Sequence, residues 1–196
     1  MTHYLGLTGS IGMGKSTTAQ MFRDAGIPVW DADAAVHELY GPNGQAVEPI
    51  GAVFPTAVVD NMVSRDELKT IIAGDSGALR RVEQIVHPLV AAHRAEFIEQ
   101  HRAPLMVFDI PLLFETGAED WLDSVLVVSA PPDVQRQRVL ARPGMTQTQF
   151  EDMMARQMPD SQKRQRADHI IETLTLDQTR VAVHKLIRTL VESSDA

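Results

Sequence analysis

The sequence predicts an α/β protein, a five-stranded parallel sheet with helices on both faces. Three observations point there. Gly9-Ser10-Ile11-Gly12-Met13-Gly14-Lys15-Ser16 fits G-x-x-x-x-G-K-[ST], the phosphate-binding P-loop. A short, mostly apolar stretch precedes it and a helical run opens at Lys15, which is the strand–loop–helix setting the motif requires. Downstream, strand-like and helix-like segments alternate, as they do where parallel strands are joined by helices. Chance produces the motif in roughly one unrelated chain of this length in a hundred.

The elements follow in order. Strand one covers about 4–8. A helix over 15–25 stops at Gly26. Strand two, 27–31, is short because Pro28 stands at its start. A helix over 33–40 follows. Between 41 and 102 strands nearly vanish. Ser64-Arg65-Asp66-Glu67 reads as a capping box for a helix through Ala73, and a second helix spans 76–86. Pro88 suits the first turn of a third helix, through about His101. Apolar runs at 105–109 and 124–128 are buried strands, and 133–142 is helical. Thr146-Gln147-Thr148-Gln149 is another capping box, leading a helix to about Met158. Pro159 starts a short helix through Arg166, 169–171 is the last strand, and Thr175 caps a final helix ending near Val191. The expectation is one domain over 1–196, with a helical region at 41–102 and a lid region at 133–166.

Composition narrows the function. The 196 residues are 44% hydrophobic, enough for a substantial core. A net charge of −8 argues against general nucleic-acid binding. There is no cysteine, which excludes disulfides and thiolate metal sites. No run of 18 apolar residues predicts a membrane span, and the N-terminus enters strand one with no room for a signal peptide. A cytoplasmic enzyme is expected, with no membrane partner; the oligomeric state is left open. The window 136–166 carries seven basic and three acidic residues, a local +4 in an acidic chain. Such a patch suits an anionic ligand, though a solvated helix face has the same composition.

The motif carries the chemistry. Gly9, Gly12 and Gly14 let the backbone fold closely around phosphate, and the exposed N–H groups form an anion nest backed by a helix N-terminus. Lys15 then reaches the β- and γ-phosphates and Ser16 offers its hydroxyl to Mg²⁺. Asp31-Ala32-Asp33 follows strand two. Residues i and i+2 on an extended segment point the same way, so both acids are expected to face the cleft, as proton acceptor or Mg²⁺ holder. A helix cap by Asp33 is the competing use. Asp109 ends an apolar strand as a Walker-B acid does, or is a turn residue before Pro111. Arg138 and Arg142 share a helix face, with Arg156 on the next helix, and suit a developing phosphoryl charge. Pro143-Gly144 between the helices suits a moving flap that excludes water.

The sequence resembles the dephospho-coenzyme A kinase family over nearly its whole length. The resemblance rests on the stretch Gly6 to Ser16, on Asp31-Ala32-Asp33 with His37, and on Ile85-Val86-His87-Pro88. It continues through Asp109-Ile110-Pro111-Leu112-Leu113-Phe114-Glu115, Gln137-Arg138 with Arg142, Arg156-Gln157-Met158-Pro159, Lys163-Arg164 and Ala167-Asp168-His169-Ile170-Ile171. It implies a P-loop kinase fold with a helical substrate-binding insertion and a lid. The implied reaction is ATP-dependent phosphorylation of the ribose 3′-hydroxyl of dephospho-coenzyme A, the last step of coenzyme A biosynthesis. Gly12, Met13, Gly14, Lys15, Ser16 and Thr17 would hold the ATP phosphates, and Asp33 would be the general base. Arg142 would clamp phosphate from the lid, helped by Arg138 or Arg156. His87, Leu112, Leu113, Phe114 and Glu115 would lie on the acceptor side. Ser10 stands where the family usually has Gly, Met13 where it has Ser, and Thr173 where Asn is common near the last strand. Three rivals stand beside it: another small-molecule P-loop kinase of the nucleoside monophosphate or shikimate type, a nucleotide switch, and a structural relic that binds no nucleotide, against which the intact Lys15 and Ser16 argue. A GTPase would need an Asn-Lys-x-Asp motif, which the sequence lacks.

Overall fold

The computed structural model describes residues 1–194. Its elements, in chain order, begin with β1 (His3–Thr8), α1 (Lys15–Asp24), β2 (Val29–Asp31), α2 (Ala32–Tyr40) and α3 (Val47–Val53). A two-strand hairpin, β3 (Val58–Val59) and β4 (Met62–Val63), leads to α4 (Arg65–Gly74) and α5 (Ala78–Gln100). Then come β5 (Leu105–Asp109), β6 (Ser124–Ser129), α6 (Pro132–Leu140), α7 (Gln147–Ala155), α8 (Asp160–Arg166), β7 (His169–Glu172) and α9 (Leu176–Ser194). The chain forms two compact units, 31–101 and the remainder.

The larger unit is built on a five-stranded sheet in the order β2-β5-β1-β6-β7. β1 pairs in parallel with β5 and β6, and β6 with β7. β5 and β6 are buried throughout, which is why they read as unbroken apolar runs. One face of the sheet, with Leu5, Leu7, Val107, Leu126 and Val128, packs on Met21 and Phe22 of α1 and Val183 and Leu190 of α9. The side chains between them point to the other face. There Phe108, fully buried, meets the rings of Tyr4, Trp30 and Trp121 at centroid separations of 5.5, 6.2 and 4.9 Å.

The smaller unit is mainly helical. Leu39, Ile50, Phe54, Val63, Leu68, Val82 and Val86 form its core. Three sequence expectations change here. Pro88 does not open a helix; it lies within the 23-residue α5, which replaces the two helices expected over 76–101. Proline removes one N–H from the helix ladder, but Pro88 and Gln84, whose carbonyl loses that partner, are both exposed, so the missing bond falls on the solvent side of the helix. The hairpin β3–β4 was not expected. Its turn residues Asp60 and Asn61 both have positive φ, 49° and 60°, the geometry a two-residue hairpin turn demands. Helix α3 was likewise not expected. Ser64 does cap α4, its Oγ accepting from Glu67 N–H at 3.3 Å.

In the larger unit the expected segments recur with small shifts. The capping box at Thr146 and Gln149 is complete. Gly26, φ 78°, ends the turn after α1, and Gly144, φ 78°, lies in the turn between α6 and α7.

Candidate active site

β1 delivers the chain to the glycine-rich loop, and α1 leaves it. Gly14 occupies the cap position of α1 with φ 87°, and Gly12 has φ 78°, backbone states that L side chains rarely adopt. Space is short as well: a Cβ on Gly12 would stand 2.5 Å from Val139 Cγ2, a clash, and one on Gly14 3.0 Å from Thr173 Oγ1, a tight contact. Ser10 and Met13 need no such backbone, because Asn43, Asp60 and Asn61 are the non-glycine residues with positive φ among those described. Substitution at those two positions therefore leaves the loop's path unstrained. The first turn of α1 has no acidic residue and no side-chain cap, so its N–H groups and positive dipole end remain available to an anion.

Met13 fastens the loop to the sheet. Its thioether, 2% exposed, accepts from Ala130 N–H at 3.0 Å, and its carbonyl accepts from Thr173 Oγ1 at 2.8 Å. Thr173 also receives Arg138 Nη1 at 2.9 Å, while Arg138 Nη2 donates to the Thr173 carbonyl. Arg138 is thus engaged in holding the segment after β7, and it is the half-buried member of the expected arginine pair. Arg142 is exposed. A cavity of about 270 Å³ opens here, lined by Gly12, Gly14, Thr17, Arg138, Arg142, Thr173 and the start of α9. Sequence reasoning noted Thr173 without finding its anchoring role, since its partners lie 35 and 160 residues away.

Lys15 Nζ lies 2.6 Å from Asp109 Oδ1. The pairing follows from topology: β1 and β5 are parallel neighbours, Leu7 is in register with Asp109, and both strands end at the carboxyl end of the sheet. The Asp109 side chain is 2% exposed and that of Lys15 17%. Asp109 is therefore a buried partner of the loop lysine and not a simple turn residue. Ser16 and Thr17 are exposed on the first turn of α1.

The expectation for Asp31 and Asp33 is corrected. They do not project together from one extended segment. Asp31 closes β2 and caps α2, its Oδ1 accepting from Ala34 N–H at 3.0 Å. Asp33 lies in the first helical turn and is exposed. The capping role considered for Asp33 belongs to Asp31, which leaves the Asp33 carboxylate clear of that duty.

The acceptor-side residues separate. His87 is exposed on α5 and Leu112 on the turn after β5. Leu113 and Phe114 are buried, 0% and 6% exposed, so their side chains support the sheet and do not line an open surface. Glu115 accepts from Met158 N–H at 2.8 Å and lies 3.0 Å from Lys163 Nζ. Lys163 is completely buried, and its contact is a close ion pair, not an aligned hydrogen bond. Burial pushes the Glu115 carboxyl up, but the Met158 N–H, Lys163 and its own backbone N–H outweigh burial and hold it below the usual carboxylate range.

The dephospho-CoA kinase family matches residues 3–177. A dephospho-CoA kinase from Ruegeria pomeroyi is 58% identical over 96% of this chain and 95% of its own. The chain belongs to the dephospho-CoA kinase family. A crystal structure from Thermus thermophilus, 34% identical, superimposes with a TM-score of 0.85 over 96% of this chain and 97% of that one. A shikimate kinase from Bacteroides thetaiotaomicron, 17% identical, reaches a TM-score of 0.53 over 96% of this chain and 98% of its own, which speaks to the fold alone.

The residues also fit a magnesium ion. Among the described residues no group of three His, Asp or Glu is arranged to hold a metal. Mg²⁺ needs no such cage: it keeps water and phosphate oxygens and takes one or two hard protein oxygens. The Ser16 hydroxyl and Asp109 carboxylate supply that kind of donor beside the loop. No described helix is long and apolar enough to cross a membrane.

Proposed function

We propose that this chain moves the terminal phosphoryl group of ATP to the ribose 3′-hydroxyl of dephospho-coenzyme A, giving coenzyme A and ADP, with the roles set out here. The observation that carries the reading is the loop with φ-positive Gly12 and Gly14 ending in Lys15, 2.6 Å from Asp109, in a chain matching the family over 3–177. Gly9 and residues 12–17 receive the phosphates through backbone N–H groups. Lys15 exchanges its contact with Asp109 for the β- and γ-phosphate oxygens. Ser16 and Asp109 would hold Mg²⁺, which neutralises charge building on those oxygens. Asp33 accepts the proton of the attacking hydroxyl, and Arg142 meets the charge on the transferred group. The region 41–102, with His87, takes the acceptor; Leu112 and Glu115 are the accessible parts of the 112–115 run. The region 133–166 closes as a lid and excludes water, so phosphate reaches the alcohol instead of solvent. The composition supports a cytoplasmic setting.

Coupled ADP release is the test, with ATP, magnesium and one acceptor at a time: dephospho-coenzyme A, adenosine, AMP or shikimate. Release is expected with dephospho-coenzyme A alone. Folded protein that releases no ADP with it ends the proposal, and preference for shikimate or AMP transfers it to the rival kinase readings.

A further inference from the structure

We propose that Gln135 and Gln157 are positioning residues that hold the Ile11 peptide groups and so set the curvature of the phosphate-binding loop; the proposal rests on the reading of that loop as the ATP site. Ile11 is the last residue before Gly12. Its N–H donates to Gln157 Oε1 at 3.1 Å, and its carbonyl accepts from Gln135 Nε2 at 2.8 Å. Both backbone groups of one loop residue are thus bound by side chains 146 and 124 residues distant. A P-loop needs no such contacts for its motif, and nothing in the motif's spacing asks for glutamine at either position.

The two amides are themselves fixed. Gln135, on α6, is 4% exposed, and its Nε2 also lies 3.2 Å from Met154 Sδ on α7. Gln157 follows α7, three residues beyond Met154. Its neighbour Met158 is held by Glu115, which is paired with buried Lys163. A closed set of contacts therefore runs from Ile11 through α6 and α7 back to Ile11. Gly12, next in the chain, has the softest backbone available, so the path from 12 to 17 is steered by how firmly Ile11 is held. A loop already bent for phosphate loses less freedom on binding ATP than one that must be ordered by it. The same contacts make the position of α7 and the shape of the loop mutually dependent.

The polarity of the contacts gives a test with opposite signs. Gln157 must accept and Gln135 must donate. Methionine keeps length; at 135 it removes the donor outright, and at 157 it leaves a thioether that is only a weak acceptor in place of the amide oxygen. A glutamate at 157 still accepts, whereas at 135 it turns an acceptor toward a carbonyl. The measurements are ATP affinity by calorimetry without acceptor, steady-state KM for both substrates, and melting temperature. Gln157→Met and Gln135→Met are each expected to weaken ATP binding by about tenfold while the KM for dephospho-coenzyme A stays within about twofold. The double variant should be little worse than the weaker single one, because both amides hold one residue. Gln157→Glu should lose less than Gln157→Met, and Gln135→Glu more than Gln135→Met. Unchanged ATP affinity with a lowered melting temperature overturns the proposal, as does the same ranking of Glu against Met at both positions. Wild-type protein that binds ATP but ignores dephospho-coenzyme A would remove the acceptor assignment and leave this test standing.

Discussion

Lys15 shows what a single side chain contributes. It bridges the loop to the end of β5 through a 2.6 Å contact with a buried carboxylate. Lys15→Ala is expected to lower kcat by at least about a hundredfold with the far-ultraviolet circular dichroism spectrum retained; an active variant would remove the loop from the chemistry. Asp33 is the opposite case, exposed at the first turn of α2 while Asp31 does the capping. Asp33→Asn keeps the shape and removes the carboxylate proposed as the base. It should leave ATP binding by calorimetry nearly intact and slow transfer by about 10²–10⁴. Turnover close to wild type would assign proton removal elsewhere. At this scale the sequence was legible where a motif names a residue's chemistry. It was not legible for the Asp31–Asp33 pair, because which of two neighbouring acids caps a helix depends on where β2 stops.

Elements decide which side chains can cooperate. Arg138 lies in α6, but Arg142 stands two residues past its end, so the two do not share a helix face as the sequence led one to expect, and their surroundings differ. Arg138 is held against Thr173, and Arg142 lines the cavity beside Gly12 and Gly14. Arg142→Ala should reduce kcat more than it weakens ATP binding, as single-turnover and binding measurements together will show; loss of acceptor affinity alone would deny it a lid role. The segment 109–115 is similar. Its apolar residues are buried, while Glu115 braces the turn between α7 and α8. Its carboxyl is held below the usual range. A depressed carboxyl adds stability above its unfolded pKa and loses it as the pH falls through the lower folded one. Thermal melts should therefore show wild type losing an advantage over Glu115→Gln as the pH drops below the ordinary glutamate value of 4.5. A gap that does not narrow with acidification would refute the ion-pair account. Helix α5 marks a limit of local reading: Pro88 signals a helix start, but an exposed proline in a helix with a packed apolar face interrupts one hydrogen bond and no more.

For the molecule as a whole, the sheet places the site and the core keeps the sheet. Phe108 is fully buried against Tyr4, Trp30 and Trp121, on the face opposite α1 and α9. Phe108→Ala is expected to cost about 3–5 kcal/mol in denaturant unfolding, and a loss below about 1 kcal/mol would mean the aromatic group is not a central part of the core. The sequence alone determined the parallel α/β class, the five strands of the main sheet, the phosphate loop and the family resemblance, because apolar runs, capping boxes and the spacing of Gly12, Gly14 and Lys15 are local signals set by backbone geometry. Tertiary structure decided which strands are neighbours, and so that Lys15 meets Asp109. It also decided that α5 is continuous, that Asp31 and not Asp33 caps α2, and that Thr173, Gln135 and Gln157 hold the loop. The contacts of Lys15, Thr173, Gln135 and Gln157 join residues 35 to 160 positions apart, and no local pattern in the chain encodes which distant donor will face which acceptor once the helices pack.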